Sequence, residues 1–119
     1  MNFYERAKNL RDKYISEMQK NSIYTREAES KLHLLSLLVS KAFYKDQLSY
    51  KKNPDELPSI FSIDARNLHF SLEYNASLLN HILKDLGYDK FSITTNDATY
   101  QTPSPNPPKT IFIDFRWEF

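Results

Sequence analysis

No cysteine occurs anywhere in the 119 residues. Disulfides, thiolate metal sites and cysteine nucleophiles are excluded with it, and the absence fits a reducing compartment. Glycine is almost as scarce, with Gly87 standing alone. Phosphate-cradling loops and dinucleotide fingerprints need several glycines, because the backbone must approach the phosphates closely. Neither can be built from this chain. A charge of one sign is lacking too, since 16 Lys+Arg face 15 Asp+Glu. Residues 1–58 hold 11 basic against 8 acidic side chains (+3), and residues 59–119 hold 5 against 7 (−2). Nucleic-acid binders commonly carry a basic stripe, and neither half shows one.

Long hydrophobic runs are also missing. The most apolar region, Leu32–Tyr44, is broken by His33, Ser36, Ser40 and Lys41. It falls short of the ~20 residues that a membrane-spanning helix needs. Glu5 and Arg6 stand where the apolar segment of a secretory leader would be. The expectation is a cytoplasmic protein without membrane association, metal or cofactor.

Aromatic residues are abundant, with 8 Phe, 8 Tyr and 1 Trp. Each can remove a large apolar area from water. A chain of this length can therefore close a core without covalent staples. One α+β domain over residues 1–119 is expected.

The periodicities divide the chain. Phe3, Ala7, Leu10, Tyr14 and Met18 recur every three or four residues, which predicts an amphipathic helix over about 2–20. Thr25, followed by Glu27 and Glu29, reads as the capped start of a second helix over about 25–50. The middle of that helix, Leu34–Val39, is apolar nearly all round and therefore central. Pro54 and Pro58 break the chain next. From there Leu68, Leu72, Ala76, Leu79, Leu83 and Leu86 form a helical stripe. It predicts a third helix over about 64–86, capped by Asp64 and ended by Gly87. Residues 68–74 also alternate, so a short strand followed by a helix capped at Asn75 is the other reading.

Two strands follow. Phe91–Thr95 is β-branched and aromatic, which predicts a strand over about 90–95. Ile111, Ile113, Phe115, Trp117 and Phe119 alternate with Asp114, Arg116 and Glu118, which predicts a strand over about 110–119. The fold class is thus α+β, with three N-terminal helices packed on a C-terminal antiparallel β-hairpin. Phe91, Ile93 and Thr95 should lie beside the inward residues of the last strand. Between the strands runs a long Pro-rich loop, 96–109, which holds Pro103, Pro105, Pro107 and Pro108. Prolines favour an extended path.

Three functional classes can be set against these residues. In the first, the chain is a non-catalytic protein–protein interaction module. Its small size and composition suit an adaptor or an inhibitor encoded by a phage or other mobile element. The stiff loop is its contact surface, through Tyr100, Gln101, Pro103, Pro105, Asn106 and Pro107. Long loops on a packed scaffold often carry function, and a stiff one loses less entropy on docking. A free edge of the last strand would offer a second mode, a homodimer by strand addition. In the second class, three helices and a hairpin form a winged-helix DNA-binding regulator. Asn80, His81 and Lys84 would then read bases. The acidic balance of this half and a wing with little basic charge count against it. In the third, His81 and Asp85, spaced i and i+4, serve a small hydrolytic enzyme. Tyr44, Lys45, Tyr50, Lys51 and Lys52 also cluster. Lysines there complement the end of a helix dipole more simply than they bind phosphate.

Overall fold

The computed structural model describes residues 2–49, 60–98, 105 and 107–116. Its elements are α1 (Phe3–Asn21), α2 (Arg26–Ser49), β1 (Ile60–Asp64), α3 (Leu72–Asp85), β2 (Phe91–Asp97) and β3 (Lys109–Phe115).

The helix ends follow local chemistry. Asn2 caps α1, its side-chain oxygen accepting from the Glu5 N–H at 2.9 Å. Ser22 closes the helix in a left-handed conformation, at φ 52°. Thr25 caps α2 as its sequence suggests, and its hydroxyl accepts from the Ala28 N–H at 3.2 Å. α3 ends in a Schellman motif. The Tyr88 N–H donates to the Leu83 carbonyl and the Gly87 N–H to the Lys84 carbonyl. Gly87 takes φ +95°, where glycine's freedom is needed.

Two expectations fail between residues 60 and 71. The third helix does not begin near 64, and 68–74 is neither a strand nor wholly helix. Residues 60–64 form β1 instead, and a turn leads from it to Ser71. Ser71 is the cap of α3, accepting from the Tyr74 N–H at 3.2 Å. Asp64 ends the strand and holds Arg66. Asn75 lies inside the helix, where its amide nitrogen donates to the carbonyls of Phe70 and Ser71. The strand was hidden because only Phe61 and Ile63 point inward. Two inward residues make too short an alternation to outweigh a five-turn helical stripe. Pairing with the distant β3 decides the matter.

The hairpin is therefore part of a three-stranded antiparallel sheet, in the order β1-β3-β2. β3 is the centre. It pairs with β1 from Ile60↔Asp114 to Asp64↔Thr110 and with β2 from Phe91↔Phe115 to Asp97↔Lys109. The last strand thus has no free edge over 110–114, and strand addition there is ruled out. Phe91, Ile93 and Thr95 do lie beside Phe115, Ile113 and Ile111. Phe91 and Ile93 pack partly on the core, whereas Thr95 is exposed. Trp117 and Phe119 lie outside the described residues.

The helices cover one face of the sheet. The core joins Phe3 of α1, Leu34, Leu35 and Leu38 of α2 and Leu79, Ile82 and Leu83 of α3. They meet Phe61, Ile63, Ile111 and Ile113 of the sheet, all fully buried. Phe3, Phe61 and Phe115 meet edge to face, with centroids 5.0–5.4 Å apart. Such pairs add to area burial alone. The other face, with Ser62, Ser92 and Thr94, is open to solvent.

Candidate interaction surfaces

The hairpin stem is the first candidate, because it holds the Pro-rich loop. Asp97 pairs with Lys109 at the last rung of β2 and β3. One step further, the Ala98 N–H donates to the Pro108 carbonyl at 3.0 Å, and Ala98 is buried. Both ends of the loop are therefore fixed to the central strand. Pro105 is exposed and Pro107 half-buried. Tyr100, Gln101, Pro103 and Asn106 lie outside the described residues.

The outer surface of α3 is the second. His81 and Lys84 are exposed there, and Asn80 is half-buried. All three belong to one helix, but β1 lies between α2 and α3 in the chain. A helix-turn-helix joins its two helices by a turn of 3–4 residues, and α2 and α3 have no such junction.

Asp85 is not arranged as the orienting carboxylate of His81. Its Oδ2 accepts from the Tyr14 hydroxyl of α1 at 2.7 Å. Burial pushes the Tyr14 phenol well above its usual range, and the hydrogen bond and negative charge of Asp85 add to this. Two shallow clefts flank the pair. One, of about 230 Å³, is lined by Glu17, Met18, Ile23 and Lys31 beside Tyr14 and Asp85. The other, of about 340 Å³, is lined by Arg6, Asn9, Leu10 and Lys13 beside Asp85. Ligand pockets commonly span ~300–1,000 Å³, so these fall at or below the bottom of that range. Neither lining brings a serine, threonine or histidine to the carboxylate. Among the described residues no group of His, Asp and Glu could hold a metal.

At the sheet edge, Lys41, Ser62, Asp64, Arg66, Lys109 and Thr110 line a further cleft of about 270 Å³. Arg66 grips Asp64 through its side chain, Nη2 to Oδ2 at 2.6 Å, and through its backbone N–H at 3.1 Å. These bonds hold the Asp64 carboxyl down at about 2. An Asp-x-Arg spacing at a strand end is the signal that could have disclosed the clamp. Lys45, read with Tyr44 as part of a basic aromatic cluster, lies 5.1 Å from the centroid of the Phe61 ring. Burial, and then the charge of Lys41, lowers its pKa. Its packing on the core edge accounts for its position. Tyr44 and Phe43 are exposed on the same helix, and the Tyr4 ring lies 5.6 Å from Phe43. Tyr50, Lys51 and Lys52 lie outside the described residues.

No family model, no curated protein and no solved structure matches this chain. No helix among the described residues is long and apolar enough to cross a membrane.

Proposed function

We propose that this chain is a small protein–protein interaction module that presents its Pro-rich loop to another protein. The observation that carries this reading is the stem. The loop leaves β2 and enters β3 at residues tied to each other by the Asp97↔Lys109 rung and the Ala98–Pro108 hydrogen bond. A loop whose two ends are tied together starts from fewer arrangements and loses less freedom on docking. Prolines stiffen the span further. The surfaces built around Tyr14 and Asp85 offer no comparable arrangement for chemistry. An adaptor or an inhibitor of a larger protein fits the chain's size.

The test is replacement of residues 99–106 by a glycine–serine segment of equal length. The circular dichroism spectrum should be unchanged, and capture of the partner from the protein's own cells should be lost. Undiminished capture would reject the loop as the contact.

The winged-helix reading stands second. α3 offers Asn80, His81 and Lys84 on one helix, and a hairpin follows it. A salt-dependent gel shift on duplex DNA would favour this reading, and absence of a shift at low salt would remove it.

A further inference from the structure

The two edges of the sheet are built differently. β1 is five residues long and ends in Asp64, which is clamped by Arg66. Lys41 borders the same cleft. Short length and charge are devices by which natural sheets discourage strand addition. β2 has neither. Over seven residues, Phe91-Ser92-Ile93-Thr94-Thr95-Asn96-Asp97, it contains no proline, lysine or arginine, and no acid before its last position. It pairs residue for residue with β3, without a bulge.

The direction of its backbone groups follows from the ladder. The Ala98 N–H donates to the Pro108 carbonyl. In an antiparallel pair, hydrogen-bonded residues alternate. Ser92, Thr94 and Asn96 therefore turn their N–H and C=O groups towards β3. Phe91, Ile93 and Thr95 turn theirs outward, and β3 is the ladder partner of β2 among the described residues. The side chains add a second sign. Phe61, Ile63, Ile111 and Ile113 are buried on the inward face of β1 and β3, whereas Phe91 and Ile93 are half-buried and Thr95 is exposed. β2 packs against the helical layer through Phe91 and Ile93 but leaves part of both side chains exposed at its rim.

We infer that β2 pairs antiparallel with β2 of a second copy of this chain, joining the two sheets into one. This inference does not depend on the loop. Self-complementarity and charge favour a second copy as the occupant. A two-fold axis through Thr94 sets Ile93 opposite Thr95 of the other copy, so outward groups meet outward groups along the strand. The same axis keeps Phe91 and Ile93 of both copies on the helical side, where the two apolar rims merge. Charge favours this direction too. Lys90 precedes β2 and Asp97 ends it, and both are exposed. Antiparallel alignment brings the Lys90 end of each copy to the Asp97 end of the other, whereas parallel alignment would set like charges together. Isologous two-fold pairing is the commonest route to a homo-oligomer.

Sedimentation across a concentration series tests this. The wild-type chain should give a species of twice 14.1 kDa. Thr95→Pro removes an outward N–H and no bond to β3, so it should retain the circular dichroism spectrum and sediment as a monomer. Thr95→Lys, which places a charge at the edge, should do the same and serves if the proline variant does not fold. The amides of Ile93 and Thr95 should exchange hydrogen more slowly as concentration rises. A wild-type chain that remains monomeric at millimolar concentration overturns the inference. So does a dimer that survives both substitutions, or one in which these two amides gain no protection, which would place another surface or another partner strand at work.

Discussion

The hydroxyl of Tyr14 donates to the carboxylate of Asp85 at 2.7 Å, and this bond ties the middle of α1 to the last residue of α3. A cleft beside Asp85 opens on either side of this bond. Replacing the phenol by a ring without its hydroxyl keeps the packing and removes the tie. Tyr14→Phe should lower stability by about 1 kcal/mol, the usual worth of one hydrogen bond, in urea unfolding at neutral pH. The raised Tyr14 pKa gives the pH sign. The folded state holds this proton more tightly than the unfolded chain, so the contribution is complete below the ordinary tyrosine value of ~10. It is lost as pH rises beyond it towards the higher folded value. The wild type should therefore lose stability in that alkaline range more steeply than Tyr14→Phe.

Gly87 offers a cleaner backbone test. A Cβ added there would meet the Arg6 Nη1 at 3.7 Å, an ordinary contact. The cost of Gly87→Ala is then the left-handed conformation itself, at φ +95°. A loss of about 1–2 kcal/mol is expected, read as a lower denaturation midpoint with an unchanged slope.

β1 can be probed by its two faces. Phe61 is fully buried among Phe3 and Phe115, and Phe61→Ala should cost about 3–5 kcal/mol. Ser62 is exposed on the opposite face, and Ser62→Ala should change stability by less than about 0.5 kcal/mol. Equal effects would mean that the strand does not sit in this register.

Asp64 should titrate far below an ordinary carboxylate. With Arg66 in place its carboxyl resonance should shift with a midpoint at about 2. In Arg66→Ala the midpoint should return towards ~3.9. The pair stabilises the fold above ~3.9 and loses that effect as pH falls through the folded value. Both side chains are well exposed, so the change in stability should be small.

Much of the helical layer was readable from local pattern. The cap at Thr25 and the stop at Gly87 are each decided by residues within a turn of one another. The alternation of Ile111, Ile113 and Phe115 carried the central strand in the same way. β1 was not readable, because Phe61 and Ile63 become strand residues only through a partner some fifty positions away, at Ile113 and Ile111. The same distance effect concealed the Tyr14–Asp85 bond, whose members are 71 residues apart. It also misplaced the free edge, which could not be assigned to β2 before β1 was known to cover β3. Of the loop residues read as a contact surface, only Pro105 and Pro107 fall among those the structure describes.

The order of the strands has a consequence during synthesis. β3 is the neighbour of both β1 and β2, and it follows both in the chain. While the polypeptide is still leaving the ribosome, Phe61 and Ile63 have no rung to join, and β2 has nothing to fold back upon. The three helices can form early, but the sheet cannot begin until residues 109–115 have emerged. Contacts this far apart close slowly, and unpaired strands attract other chains in the interval.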